Sequence, residues 1–333
     1  MRMMNLTTAV ALATVVMLPA VSAMAQPAPD PASIWTLQDE NASVSATKPK
    51  DHMYTNGFRV AWTSPSTVVP DIFAKLGNSL WGSGLQRVSV DVSQQMYTPR
   101  FTQRTTADPL DRPYAGVLLG NFSLLSDTDD TRSVLTLSLG VVGPDSGAAE
   151  TQNDFHRMIR KAPAMGWNCE IPNTAAVEVL HERTWRLPTG TIAGLETDVL
   201  PSLAAGVGDL RDYVQTGVTF RVGQGLNSDF GVPRPRPGLS GGDAYTPTRR
   251  LAWYAFLGVD GQAVAYDLLL QSAPFRSGPS VSPVWDVAEV QGGVAVMAFG
   301  MRLTLAYVAQ TPEFRSQTGG MHQFASISLS VRF

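Results

Sequence analysis

The segment FASISLSVRF (324–333) places Phe324, Ser326, Ser328, Ser330 and Arg332 on one parity and Ala325, Ile327, Leu329, Val331 and Phe333 on the other. Successive side chains of a β-strand point to opposite faces, so this segment predicts a strand with one oily and one wet face. The same period-2 pattern recurs in RVSVDVS (87–93), where Val88, Val90 and Val92 oppose Ser89, Asp91 and Ser93, and in VLTLSLGVV (134–142). A soluble two-sheet sandwich would turn such oily faces inward. An aromatic residue on the apolar parity of the last strand, and alternating segments of about ten residues separated by turn residues, instead mark an outer-membrane barrel.

Working back along the chain, the pattern predicts twelve strands near 33–42, 54–63, 87–97, 114–125, 132–142, 174–186, 193–206, 213–223, 250–266, 284–297, 300–310 and 323–333. The expected fold is therefore all-β, a transmembrane antiparallel β-barrel of twelve strands. Its even strand number places both chain ends on one side. The Pro- and Gly-rich stretch 226–249 reads as a loop. Ahead of the barrel, Arg2 and the apolar run LTTAVALATVVMLPAV lead to Ala23-Met24-Ala25, a small-x-small cleavage signature. Residues 1–25 are thus expected to be a signal peptide and 26–333 the barrel domain.

Composition agrees with that class. Only 16% of residues are charged, 44% are hydrophobic, and Cys169 is the single cysteine. An intrachain disulfide is therefore excluded, and strand pairing and packing must hold the fold. A formal charge of −3 argues against a nucleic-acid partner.

Both ends on one side make the connections 41–55, 97–116 and 143–172 share the opposite rim, and all three are polar. The third carries Asp145, Glu150, Gln152, Asn153, Asp154 and His156. Of the four histidines, His52, His156, His181 and His322, His156 alone sits in such a cluster. Gln152 precedes it by one helical turn, so a helix over 149–160 would put both on one face. Imidazole exchanges a proton near neutrality, which suits general-base work. His181, in AAVEVLHERTWRL, reads as a lumen or rim residue. Neither an H-E-x-x-H motif nor a Cys/His metal spacing is present. The residues alone lead to a barrel with a polar site on its outer rim.

Three motifs, YTNG (54–57), DRPYAG (111–116) and GVVGPDSGAAETQNDFHRMI (140–159), each at a strand end, resemble the outer-membrane lipid A 3′-O-deacylase family. The resemblance implies hydrolysis of the ester of the 3′-linked acyloxyacyl chain of lipid A in the outer leaflet, with calcium as cofactor and lipopolysaccharide and outer-membrane lipids as partners. It implies His156 as base and Gln152 as its polar partner. Thr55 falls on the family's Ser/Thr, Asn41 on the asparagine of an Asn-Asp pair, and Arg104 on a loop lysine. Two positions depart: Ala42 replaces the aspartate of that pair, and Ala162 stands where some members carry glutamate. Asp39, Glu40, Asp51 and Glu170 are the remaining candidates for calcium. The competing expectations are a passive porin or structural barrel, a catalytically altered homologue, and a soluble exported hydrolase.

Overall fold

The computed structural model describes residues 28–44, 52–232, 243–274 and 277–333; the expected signal peptide lies outside them. Among the described residues thirteen strand segments occur: β1 (Ile34–Asn41), β2 (Met53–Thr63), β3 (Leu85–Thr98), β4 (Ala115–Asp127), β5 (Thr131–Val142), β6 (Thr174–Trp185), β7 (Leu187–Ile192), β8 (Leu195–Gly208), β9 (Arg211–Gln224), β10 (Leu251–Asp267), β11 (Asp286–Ala298), β12 (Met301–Gln310) and β13 (His322–Arg332). Each pairs antiparallel with its neighbours. Ring closure comes from β1 on β13, with Ile34 opposite Arg332 and Asn41 opposite Ala325.

The barrel has twelve strand positions, because β6 and β7 occupy one. β6 pairs with the C-terminal half of β8, Glu178 opposite Gly208 through Thr184 opposite Ser202, and β7 pairs with its N-terminal part, Leu187 opposite Val199. Between them Arg186 turns aside: its N–H donates to Asp130 O, and its guanidinium to the carbonyls of Asp129 and Asp229. Pro188 and Gly190 hid the extension, since both are poor strand formers.

The predicted parity holds. Ile327 and Leu329 are exposed on the outer wall while Ser326, Ser328 and Ser330 are buried. An apolar belt that includes Trp35, Leu37, Phe58, Val90, Leu137 and Leu305 surrounds the wall, as hydrocarbon contact requires.

The lumen is filled. At the end bearing the chain termini, the described parts of the connection after β9, 225–232 and 243–250, fold inward. Its Asp229 takes Arg221 at 2.6 Å and Arg302 at 3.1 Å and accepts from Tyr254 Oη at 2.9 Å. Its Asp243 pairs with Arg59, which also reaches Asp91 at 3.2 Å. Buried charges persist only when paired in this way. Leu226, Val232, Ala244 and Tyr245 of the same connection pack with Ile34, Tyr254 and Met297. Toward the opposite, loop end, Tyr54, Tyr97, Val308 and Phe324 pack with Leu210, Leu268 and Leu269. The sequence reading made 226–249 a loop without giving it this inward course.

A helix, α1 (Asp71–Trp81), lies in the connection between β2 and β3, at the terminal end. Trp81 Nε1 donates to His181 Nε2 at 3.0 Å. This corrects the reading of His181 as a lumen or rim residue, because its parity with exposed Val177 and Val179 puts it on the outer wall.

Candidate active site

The long connection after β5 builds the site. Gly143 (φ 111°) lies so close to Ile171 and Asn173 that a Cβ would approach their backbone at 2.7 Å. A 3-10 turn over Pro144–Ser146 and left-handed Gly147 (φ 68°) then launch α2 (Ala148–Met158). The helix agrees with the expected one to within two residues. Its buried residues are Ala148, Gln152 and His156, spaced four apart on one face.

That face rests on the outside of the barrel, not in its lumen. Ala148 packs with Met96, Tyr114, Ala164 and Trp167. A Cβ on Gly116 of β4 would meet Ser146 Oγ at 2.0 Å and the Ala148 methyl at 2.5 Å. Gln94 Nε2 donates to Ser146 O at 2.7 Å. Gln94, Met96 and Gly116 have the parity opposite to lumen-facing Tyr97 and Val117, so α2 is docked on the outer wall of β3 and β4.

The segment after α2 folds back over the helix. Asn153 Oδ1 accepts from Ala164 N at 2.7 Å and its Nδ2 donates to Ala164 O at 3.2 Å. Trp167 Nε1 donates to Gln152 Oε1 at 2.7 Å, while Gln152 Nε2 is buried with no partner among the described residues. His156 Nδ1 lies 2.8 Å from Ala162 O. A carbonyl only accepts, so this contact puts the proton on Nδ1 and makes Nε2 the basic nitrogen. Position 162 orients the imidazole through its backbone carbonyl.

The other expected residues stand on neighbouring elements, each held locally. Thr55 occupies a bulge where the β2–β3 register shifts between Tyr54 and Asn56, and its Oγ1 meets Thr98 Oγ1 at 2.7 Å. Asn41 ends β1 and accepts from Ser43 N at 2.7 Å. Its parity, shared with Trp35 and Leu37, is outward. Arg104, in the connection after β3, is half exposed, pairs with Asp108 and lies over Phe101, 4.9 Å from the ring centroid. The backbone of that connection is tied to the segment after α2: Met165 N donates to Thr102 O at 2.7 Å, and Gln103 Nε2 to Pro163 O at 2.8 Å.

For calcium, a cage would need about six to eight oxygens. Among the described residues, no three His, Cys, Asp or Glu side chains converge. Asp39 shares Asn41's outward parity and accepts from Asn56 Nδ2 at 2.9 Å. Glu40 points the other way and is buried in the lumen. Asp51 lies outside the described residues. Glu170 sits apart from these, against Glu150 and the Gly116 backbone; burial, then the Glu150 charge, push its carboxyl up to about 7. Ala42, where the resemblance led us to expect an aspartate, is fully buried in one cluster with Tyr54, Tyr97 and Phe324. The described residues thus assemble no calcium cage.

Sequence reasoning placed Asn153 only as one of the polar cluster and missed Trp167 and Thr98, since these roles depend on the fold-back and the bulge. Comparison with family profiles matches residues 7–333 to the family described as "Outer membrane protein LpxR". The chain belongs to the LpxR family. The solved structure of LpxR from Salmonella typhimurium superposes with a TM-score of 0.74 at 22% identity, covering 90% of this chain and 100% of that one, and so shares the LpxR barrel. Two autotransporter barrels are far less alike: the NalP translocator domain from Neisseria meningitidis (TM-score 0.40, 8% identity, 92% of this chain and 90% of that) and the Bordetella BrkA β domain (TM-score 0.37, 10% identity, 92% and 99%). Comparison with curated protein sequences found no match.

Proposed function

We propose that this chain is a lipid A 3′-O-deacylase that hydrolyses the ester of the 3′-linked acyloxyacyl chain, with the termini in the periplasm and the loop end at the cell surface. The observation that carries this reading is a buried imidazole with an oriented tautomer, on a helix docked on the lipid-facing side of the wall. A lipid reaches that position laterally, without leaving the bilayer or entering the filled lumen.

In this mechanism His156 Nε2 takes the proton of a water that attacks the ester carbonyl, while Ala162 O holds the ring through Nδ1. The imidazolium then returns the proton to the leaving alkoxide. Gln152 Nε2, buried and unspent, is the donor proposed for the oxyanion, and Trp167 fixes its orientation. Arg104 contributes a cation for lipid A phosphates, and Thr55 and Asn41 polar groups for the sugar side. Exposed Phe155, Met158, Ile159 and Met165 offer an apolar bed for the acyl chain. Calcium is proposed as a weakly held, exchangeable ion near Asn41 and Asp39 that supplies positive charge when bound.

The test is mass spectrometry of lipid A from cells expressing the wild type or His156→Ala. The expected result is loss of one acyloxyacyl mass with the wild type alone. The same mass loss with a correctly folded His156→Ala, or none with either, would refute the reading.

A further inference from the structure

Helix α1 has three faces. Phe73, Gly77 and Trp81 form one, held to the barrel wall. The Phe73 and Phe122 rings are 4.9 Å apart, a Cβ on Gly77 would meet the Gln86 side chain at 2.6 Å, and Trp81 bonds His181. Beneath it Val88 and Leu124, of outward parity, are only 8% and 2% exposed, while Val90 and Val92 farther up β3 are 46% and 56% exposed. Asp71, Lys75, Asn78 and Ser79 form a second, polar face, exposed throughout. Ile72, Leu76 and Leu80 form the third, and all are exposed, Ile72 at 72%. Val68, in the connection just before the helix, is also exposed.

The two exposed faces are ordered along the barrel axis. On the polar edge, Asn78 Oδ1 accepts from Gln86 Nε2 at 2.8 Å, and Gln86 is at the rim, opposite Ser126. On the side of the wall face that adjoins the apolar stripe, Phe73 meets Phe122, four residues farther from the rim and opposite Val90. The apolar edge of α1 therefore faces the middle of the wall and runs directly into the lipid-facing belt at Val90 and Val92. The polar edge faces away from it.

From this order we infer that α1 is an interfacial membrane helix, its Ile72–Leu76–Leu80 stripe seated in the acyl chains of the phospholipid leaflet on the terminal side and its Lys75 reaching back to the headgroups. The occupant is lipid, because the stripe is continuous with a surface that already faces lipid. This inference needs the transmembrane barrel but not the deacylase reading.

The test uses the full mature chain in a Cys169→Ser background, labelled with an environment-sensitive fluorophore at Ile72→Cys, Leu76→Cys, Lys75→Cys or Ser79→Cys. Each variant is first checked for the heat-modifiable mobility of a folded barrel, then reconstituted in phosphatidylethanolamine–phosphatidylglycerol vesicles. Doxyl-labelled phospholipid should quench positions 72 and 76 several-fold more than 75 and 79, and aqueous iodide should show the reverse order. Equal iodide quenching at all four positions would place the stripe in water and overturn the inference. Shielding of 72 and 76 from both quenchers would overturn it too, by putting a protein partner or a second copy there.

Discussion

The side chain of Gln152 is held by Trp167: the indole Nε1 donates to Oε1 at 2.7 Å, which leaves the carboxamide nitrogen as the group available to a reaction intermediate. Trp167→Phe keeps the packing against Tyr114 and removes the donor. Loss of one such hydrogen bond is worth about 1 kcal/mol, so kcat for deacylation should fall roughly fivefold with KM nearly unchanged. Gln152→Leu should lower it further. Wild-type kcat in Gln152→Leu would remove the glutamine from the mechanism.

Asp229 lies between Arg221 and Arg302, all fully buried. Asp229→Ala removes the carboxylate that both guanidinium groups share, although Arg221 keeps its pair with Asp198, and breaking a buried pair costs about 3–5 kcal/mol. The temperature at which the folded gel band converts to the unfolded one should drop markedly. The wild type, with its lumen filled at both ends, should show no steady conductance in planar bilayers, and porin-sized openings would contradict the packing of this plug.

Glu170 gives a pH dependence of known sign. Its carboxyl, ordinarily near 4.5, is pushed up to about 7 by burial and then by Glu150. As pH rises from 4.5 to 7 the unfolded chain releases this proton before the folded chain does, so the folded state loses stability across that window. Glu170→Gln should therefore protect the 143–173 connection from proteolysis at pH 8 and change little at pH 4. Equal protection at both pH values would show that the carboxyl is not held protonated.

Calcium binding should be weak, since sites with few carboxylates hold the ion at about 10⁻⁴–10⁻³ M. Chelator is expected to lower deacylation and millimolar calcium to restore it. Full activity in chelator would end the metal's role. Ala42→Asp is not a simple repair, because it puts a carboxylate among Tyr54, Tyr97 and Phe324; it should lower thermal stability in the absence of calcium.

What the sequence revealed follows from the range of each signal. Strand parity is set by nearest neighbours along the chain, so 324–333 could be read directly, and the four-residue step from Gln152 to His156 carried the helix. The short α1 carries apolar residues on two of its three sides and had no period to separate wall from membrane. β7 was masked by Pro188 and Gly190. Ala42 was read as a missing ligand, whereas its place in an apolar cluster depends on β3, β12 and β13. The course of the connection after β9 depends on Arg59, Arg221 and Arg302, which come from three different strands.

The seam between β1 and β13 also bears on biosynthesis. Eight residue pairs join the first strand to the last, so no closed ring exists until the final strand has left the ribosome and crossed the inner membrane. Until then β1 and β12 each present an open edge ready to pair with another chain. Deleting 322–333 is therefore expected to turn an insertable protein into an aggregating one.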